Sequence, residues 1–114
     1  MNIEALRDLC LALPGVTEDV KWESDLCFLV ADKMFCVTNL DAPQQVSFKV
    51  KDEEFGDLTA KAGIIPAPYL ARYKWVQVQE WGLLSDAEWG DYVKQSYELM
   101  KAKLPKKVLK DIEG

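Results

Sequence analysis

The residues of this chain that could do chemistry are few in kind: 19 acids, 14 lysines and arginines, three cysteines and no histidine among 114 residues. Without histidine, Ser-His-Asp and Cys-His nucleophiles, His-ligated metals and the commonest general base are unavailable. Carboxylates are so numerous that any pair can be nominated for two-carboxylate hydrolysis, which gives that chemistry no specific support. Cys10, Cys27 and Cys36 lie in apolar runs and read as small buried hydrophobes. Their odd number and scattered spacing make neither a disulfide framework nor a zinc site. Asp52, Glu53, Glu54 and Asp57, or Glu18 with Asp19, offer oxygen ligands without the glycine and terminal glutamate of a calcium loop. The expectation is a protein with no catalytic residue, no metal and no cofactor.

Binding is the chemistry that remains, and one stretch concentrates it. From Gly63 to Gln79 the chain brings together two prolines, aromatics and cations, with Arg72, Tyr73 and Lys74 leading into an alternating run that starts at Trp75. On that run Trp75 and Gln77 share one face, and on the alternating run Gln45 to Val50 the outward residues are Ser47 and Lys49. Lys49, Arg72 and Lys74 suit phosphate, Tyr73 and Trp75 suit stacking or wedging, and Gln77 suits a base edge. These six residues are the candidate nucleic-acid site. The overall charge works against loose binding to polyanions, since the formal net is −5. Residues 1–100 hold 9 Lys/Arg against 17 Asp/Glu, whereas residues 101–114 hold 5 Lys against 2 acids. The lysines at 101, 103, 106, 107 and 110 read as a helix-end and solubilising set, with phosphate contact as their other use.

The elements that must position these residues follow from periodicity. Asn2 caps a first helix whose apolar face is Ile3, Leu6, Leu9, Cys10 and Leu13, ended by Pro14-Gly15. Val16 to about Trp22 reads as an edge strand, with Trp22 anchoring the turn that follows. Leu26–Val30 and Met34–Thr38 form a hairpin around Ala-Asp-Lys, apolar on both faces, so it is either covered on both sides or a partner surface. A two-residue loop would set Cys27 opposite Cys36. Three acids at 52–54 open a short helix with Phe55 and Leu58 inward. Ser85-Asp86-Ala87-Glu88 is a capping box for a long helix carrying Trp89, Tyr92, Val93, Ser96, Tyr97, Met100 and Leu104, stopped at Pro105 before a last short turn. The pattern predicts one α+β domain over residues 1–114: an antiparallel sheet of about four or five strands with the N- and C-terminal helices packed on one face. No apolar run approaches a membrane span, which points to a cytoplasmic protein without membrane contact.

Three stretches carry a resemblance. Leu13-Pro14-Gly15-Val16-Thr17-Glu18-Asp19, Lys33-Met34-Phe35, and Gln95-Ser96-Tyr97-Glu98-Leu99 followed by Lys103-Leu104-Pro105-Lys106-Lys107 together resemble the MmcQ/YjbR family of small bacterial proteins, over nearly the whole chain. That resemblance implies a fold similar to the bacterial frataxin CyaY. It also implies DNA binding, because the family's sheet is similar to the double-wing module of a phage transcription factor that grips DNA on its concave face. The positions that correspond here are Lys49, Arg72, Lys74, Trp75 and Gln77. The frataxin likeness would imply iron on acidic helices, but the first helix offers only Glu4 and Asp8. The alternative to DNA binding is a protein-interaction or small-ligand domain, or a homodimer, using the apolar hairpin face around Leu29, Met34 and Cys36 or the Pro66 to Tyr73 loop.

Overall fold

A computed structural model describes residues 1–113. Helix α1 (Ile3–Leu11) starts where the Asn2 side chain accepts a hydrogen bond from the Ala5 N–H at 2.8 Å, and it buries Leu6 and Cys10. The chain then turns at Gly15, whose φ of +76° suits glycine and whose α-hydrogen side faces Ile112 so closely that a Cβ would meet that side chain at 3.1 Å. Six strands follow: β1 (Val16–Lys21), β2 (Asp25–Val30), β3 (Lys33–Asn39), β4 (Val46–Lys49), β5 (Ile64–Pro66) and β6 (Trp75–Val78). They form one antiparallel sheet in the order β1-β2-β3-β4-β6-β5. The sheet is wider than the four or five strands expected because Ile64–Pro66 pairs at the far edge. A proline-containing segment is admissible there, since an edge strand has one side free of ladder bonds.

Helix α2 (Asp52–Thr59) lies against β5 and β6, α3 (Asp86–Lys101) crosses β3 and β4, and α4 (Lys106–Glu113) closes the bottom through Val108, Leu109 and Ile112. The last segment is thus an eight-residue helix rather than a short turn, with Lys101 paired to Glu113 at 2.9 Å. The capping box is present as read: Ser85 Oγ accepts from Glu88 N–H and Glu88 Oε1 accepts from Ser85 N–H. The helix-side residues Leu26, Phe28, Val30, Val46, Phe48, Val76 and Val78 join one core with Leu6, Cys10, Trp89, Val93 and Tyr97. The buried aromatics keep partners for their polar ends, Tyr97 Oη donating to Pro14 O at 2.6 Å and Trp89 Nε1 to Trp81 O at 2.9 Å.

The β2–β3 hairpin corrects two expectations at once. Its two-residue turn, Ala31-Asp32, has φ of +47° and +66°, the handedness that matches strand twist. Beyond it the register slips at Phe28/Leu29, so Cys27 lies opposite Val37 and Phe28 opposite Cys36. The slip is a β-bulge that sends two consecutive residues, Phe35 and Cys36, into the core. Cys36 therefore does not extend a surface patch with Leu29 and Met34; its thiol meets Cys10 of α1. The bulge leaves Phe35 C=O and Lys49 N–H without ladder partners, and Ser96 of α3 supplies both. Its hydroxyl donates to Phe35 O at 2.6 Å and accepts from Lys49 N–H at 2.9 Å.

Candidate functional site on the open sheet face

With the helices on one side, alternation fixes what the other side displays. Pairing aligns Asp19, Cys27, Val37, Ser47, Gln77 and Ile65 in one row across all six strands. Two residues along the strands in one direction comes Lys21, Asp25 and Asn39; in the other, Lys49 faces Trp75. The middle of this face is a cleft of about 660 Å³, within the range of about 300–1,000 Å³ typical of ligand sites. Its floor is Met34, Val37, Ser47 and Gln77. One wall is Trp22, from the β1–β2 turn, and the opposite wall is Ala67-Pro68-Tyr69-Leu70, from the β5–β6 connection.

The rims are unusual. Trp22 is 68% and Tyr69 99% exposed, and both have left-handed backbones, with φ of +50° and +66°. A bulky side chain in that region costs roughly 1–2 kcal/mol, a strain that persists only where surrounding structure imposes it. The expectation that Trp22 anchors its turn is therefore corrected: the left-handed turn, closed by Ser24 N–H on Trp22 O at 2.9 Å, presents the ring to solvent. Asn39 holds the third side, its amide donating to Asp41 O and to Pro43 O (2.8 Å) and its oxygen accepting from Gln45 N–H at 2.7 Å. With all three bonds made inside its loop, it is a structural rather than a free polar group. Ser47 and Gln77, by contrast, make no side-chain hydrogen bond to any described residue and are half-exposed. Asp25 is the single charged residue of the lining.

The six sequence-predicted site residues separate in space. Gln77 lies in the cleft floor. Lys49 and Trp75 form the adjoining row on the same face, about 7 Å away by strand rise. Lys49 is half-buried, its ammonium donating to Tyr73 O, and its pKa is lowered by burial and by the nearby Lys103 and Lys74 ammonium groups. Trp75 is only 4% exposed, because residues 67–74 fold back along it, Ala67 N–H bonding to Trp75 O at 3.0 Å. It packs the sheet and offers no ring face to a ligand. Arg72 is exposed with its guanidinium 4.7 Å from the centroid of the Tyr73 ring and bonded to that residue's hydroxyl. Lys74, at φ +64°, turns toward α2 and puts its Nζ 5.1 Å from the Phe55 ring centroid. Sequence reasoning missed Trp22 as a surface group, and it placed Tyr69 only within the Pro66 to Tyr73 loop without singling it out. The only signal for them was an aromatic flanked by Lys21 and Glu23 and another after Pro68.

The other chemistry considered from sequence takes structural places. Burial pushes the Cys27 thiol up, and a hydrogen bond with Cys10 together with burial holds Cys36 well above the ordinary thiol range. Both are protonated, packed side chains. Glu18 and Asp19 point to opposite faces of β1, and Glu18 is taken by Arg7 through contacts of 2.6 and 3.0 Å. Glu54 accepts from Lys51 N–H and from Gln95 Nε2, as helix-start chemistry requires. Among the described residues no group of three or more Cys, Asp or Glu is placed to hold a metal ion, and no helix is long and apolar enough to cross a membrane.

Fold and site together define a small α+β domain with one helix-covered sheet face and one open, cleft-bearing face. The chain belongs to the YjbR family, whose sequence profile matches residues 11–99. Its structure is similar to that of Deinococcus radiodurans protein DR2400, which carries a DUF419 domain, at 26% identity and a TM-score of 0.88, over 98% of this chain and 88% of that one. A protein from Pseudomonas syringae is similar in fold at 22% identity and a TM-score of 0.74, over 88% of this chain and 99% of that one. No curated protein gives a significant match.

Proposed function

We propose that this protein is a non-catalytic DNA-binding module that takes an unpaired strand on its open sheet face. The observation that carries this reading is the juxtaposition of two rows on one face: a cation-free, aromatic-rimmed cleft over Ser47 and Gln77, and about 7 Å along the strands the Lys49 row, whose ammonium reaches the Tyr73 carbonyl next to Arg72. Unpaired bases suit the first and their phosphates the second. A duplex suits the face poorly. It carries one charge per about 1.7 Å, and an acidic protein with two or three cations at this edge neutralises little of it. The cation-free lining of the cleft favours a second reading, a small-ligand or protein-binding domain without nucleic-acid activity.

Fluorescence anisotropy of a labelled single-stranded oligonucleotide and of its duplex, at about 50 and 200 mM salt, separates the two readings. Three phosphate contacts to a single strand give a slope of log affinity against log salt near about −2.1. Lys49→Ala/Arg72→Ala should weaken binding and flatten that slope. Absence of saturable, salt-sensitive binding would reject the DNA reading and leave the second.

A further inference from the structure

We infer that the cleft is a site for an uncharged planar heterocycle of the nucleobase class, with Trp22 and Tyr69 as the aromatic rims it stacks on and Ser47 and Gln77 as the pair that reads its polar edge. This deepens the reading just given and rests on it for the placement of the ligand on the open face. It makes a separate claim, however: recognition lies in the ring and not in the phosphate.

Five features converge on that class of ligand. The cleft is of ligand size, and its lining contains no cation and one carboxylate, Asp25, which disfavours an anionic group within it. Ser47 and Gln77 are directly paired across β4 and β6, so a hydroxyl and a primary amide stand side by side on the floor. A primary amide presents a donor and an acceptor together, the arrangement that matches adjacent donor and acceptor groups on a base edge. Neither side chain has a partner among the described residues, although both sit on a half-buried floor where a polar group gains by finding one. Around them Met34, Val37, Pro68 and Leu70 supply apolar contact for a ring. Finally, the two largest exposed aromatics bordering the cleft are both held outward by strained backbone, from opposite edges of the sheet. Neither ring belongs to the hydrophobic core.

The test uses the whole protein labelled with ¹⁵N and titrated with adenosine, cytidine and uridine, which carry no phosphate. The expected result is saturable, salt-independent shifts of the Trp22 indole and Gln77 side-chain amide signals at millimolar ligand. Gln77→Ala and Trp22→Ala should each weaken binding by about tenfold with an unchanged thermal midpoint, since neither side chain packs the core. N6,N6-dimethyladenosine, whose amino donor is removed, should bind less well than adenosine to the wild type and equally to Gln77→Ala. No shift at cleft residues by about 10 mM nucleoside overturns the inference, as do shifts indifferent to both substitutions. Nucleoside binding without oligonucleotide binding supports the inference while rejecting the DNA reading. Oligonucleotide binding that nucleosides do not compete and that Gln77→Ala leaves unchanged supports the DNA reading and overturns the inference.

Discussion

Replacing Ser96 with alanine should do more damage than the loss of one oxygen suggests. The Ser96 hydroxyl is fully buried, donates to Phe35 O at 2.6 Å and accepts from Lys49 N–H at 2.9 Å. It stands in for the ladder bonds that the β3 bulge removes between β3 and β4. Alanine would leave a buried carbonyl and a backbone N–H without partners, each costing about 1–3 kcal/mol. Partial relaxation and partial solvent access at Lys49 reduce the sum to about 2–4 kcal/mol, a large fraction of the roughly 5–15 kcal/mol that stabilises such domains. At about 4 °C per kcal/mol for a chain of this size, the thermal midpoint should fall by about 8–16 °C. Urea unfolding measures the free energy, and amide hydrogen exchange gives a local signature: Lys49 N–H should lose protection beyond what the global change explains. Because Ser47 and Lys49 share β4, oligonucleotide binding should weaken as well. A destabilisation below about 0.5 kcal/mol, with Lys49 protection unchanged, would refute the bridging role.

Thr38 offers the opposite case. Its buried Oγ1 has no hydrogen-bond partner, so Thr38→Val should be neutral or stabilising by about 1 kcal/mol, seen as an unchanged or raised urea midpoint. A loss above about 1 kcal/mol would mean that the hydroxyl is satisfied in solution. Glu18 should impose a modest acid dependence. Its hydrogen bonds with Arg7 hold the carboxyl below the usual carboxylate range, so its contribution is fully present above the unfolded value of about 4.3 and is lost as pH falls through the lower folded value. Glu18→Gln should flatten the stability profile in that acidic window and leave it parallel to wild type above about pH 5. Salt should shrink the difference, because the pair is partly exposed.

Local pattern was enough for much of the architecture. Asn2 and the Ser85 capping box set helix starts, and alternation in Val46-Ser47-Phe48-Lys49 and Trp75-Val76-Gln77-Val78 sorted inward from outward residues, because both depend on neighbours a few positions away. The bulge that sends Cys36 inward, the pairing of Pro66 at the sheet edge and the extent of α4 depend on partners far along the chain, and a one-residue slip in register reverses every face after it. The candidate site divides in the same way. Composition determined that histidine chemistry is unavailable, and sequence order that cations and aromatics gather near Arg72 to Trp75. Only the tertiary structure decided that Trp75 is packed away, that Lys74 leans toward α2, and that Trp22 and Tyr69, 47 residues apart, rim one cleft. Side-chain type is a property of the sequence; exposure and juxtaposition are set by register, backbone handedness and the strand order that brings distant turns to opposite sides of one sheet face.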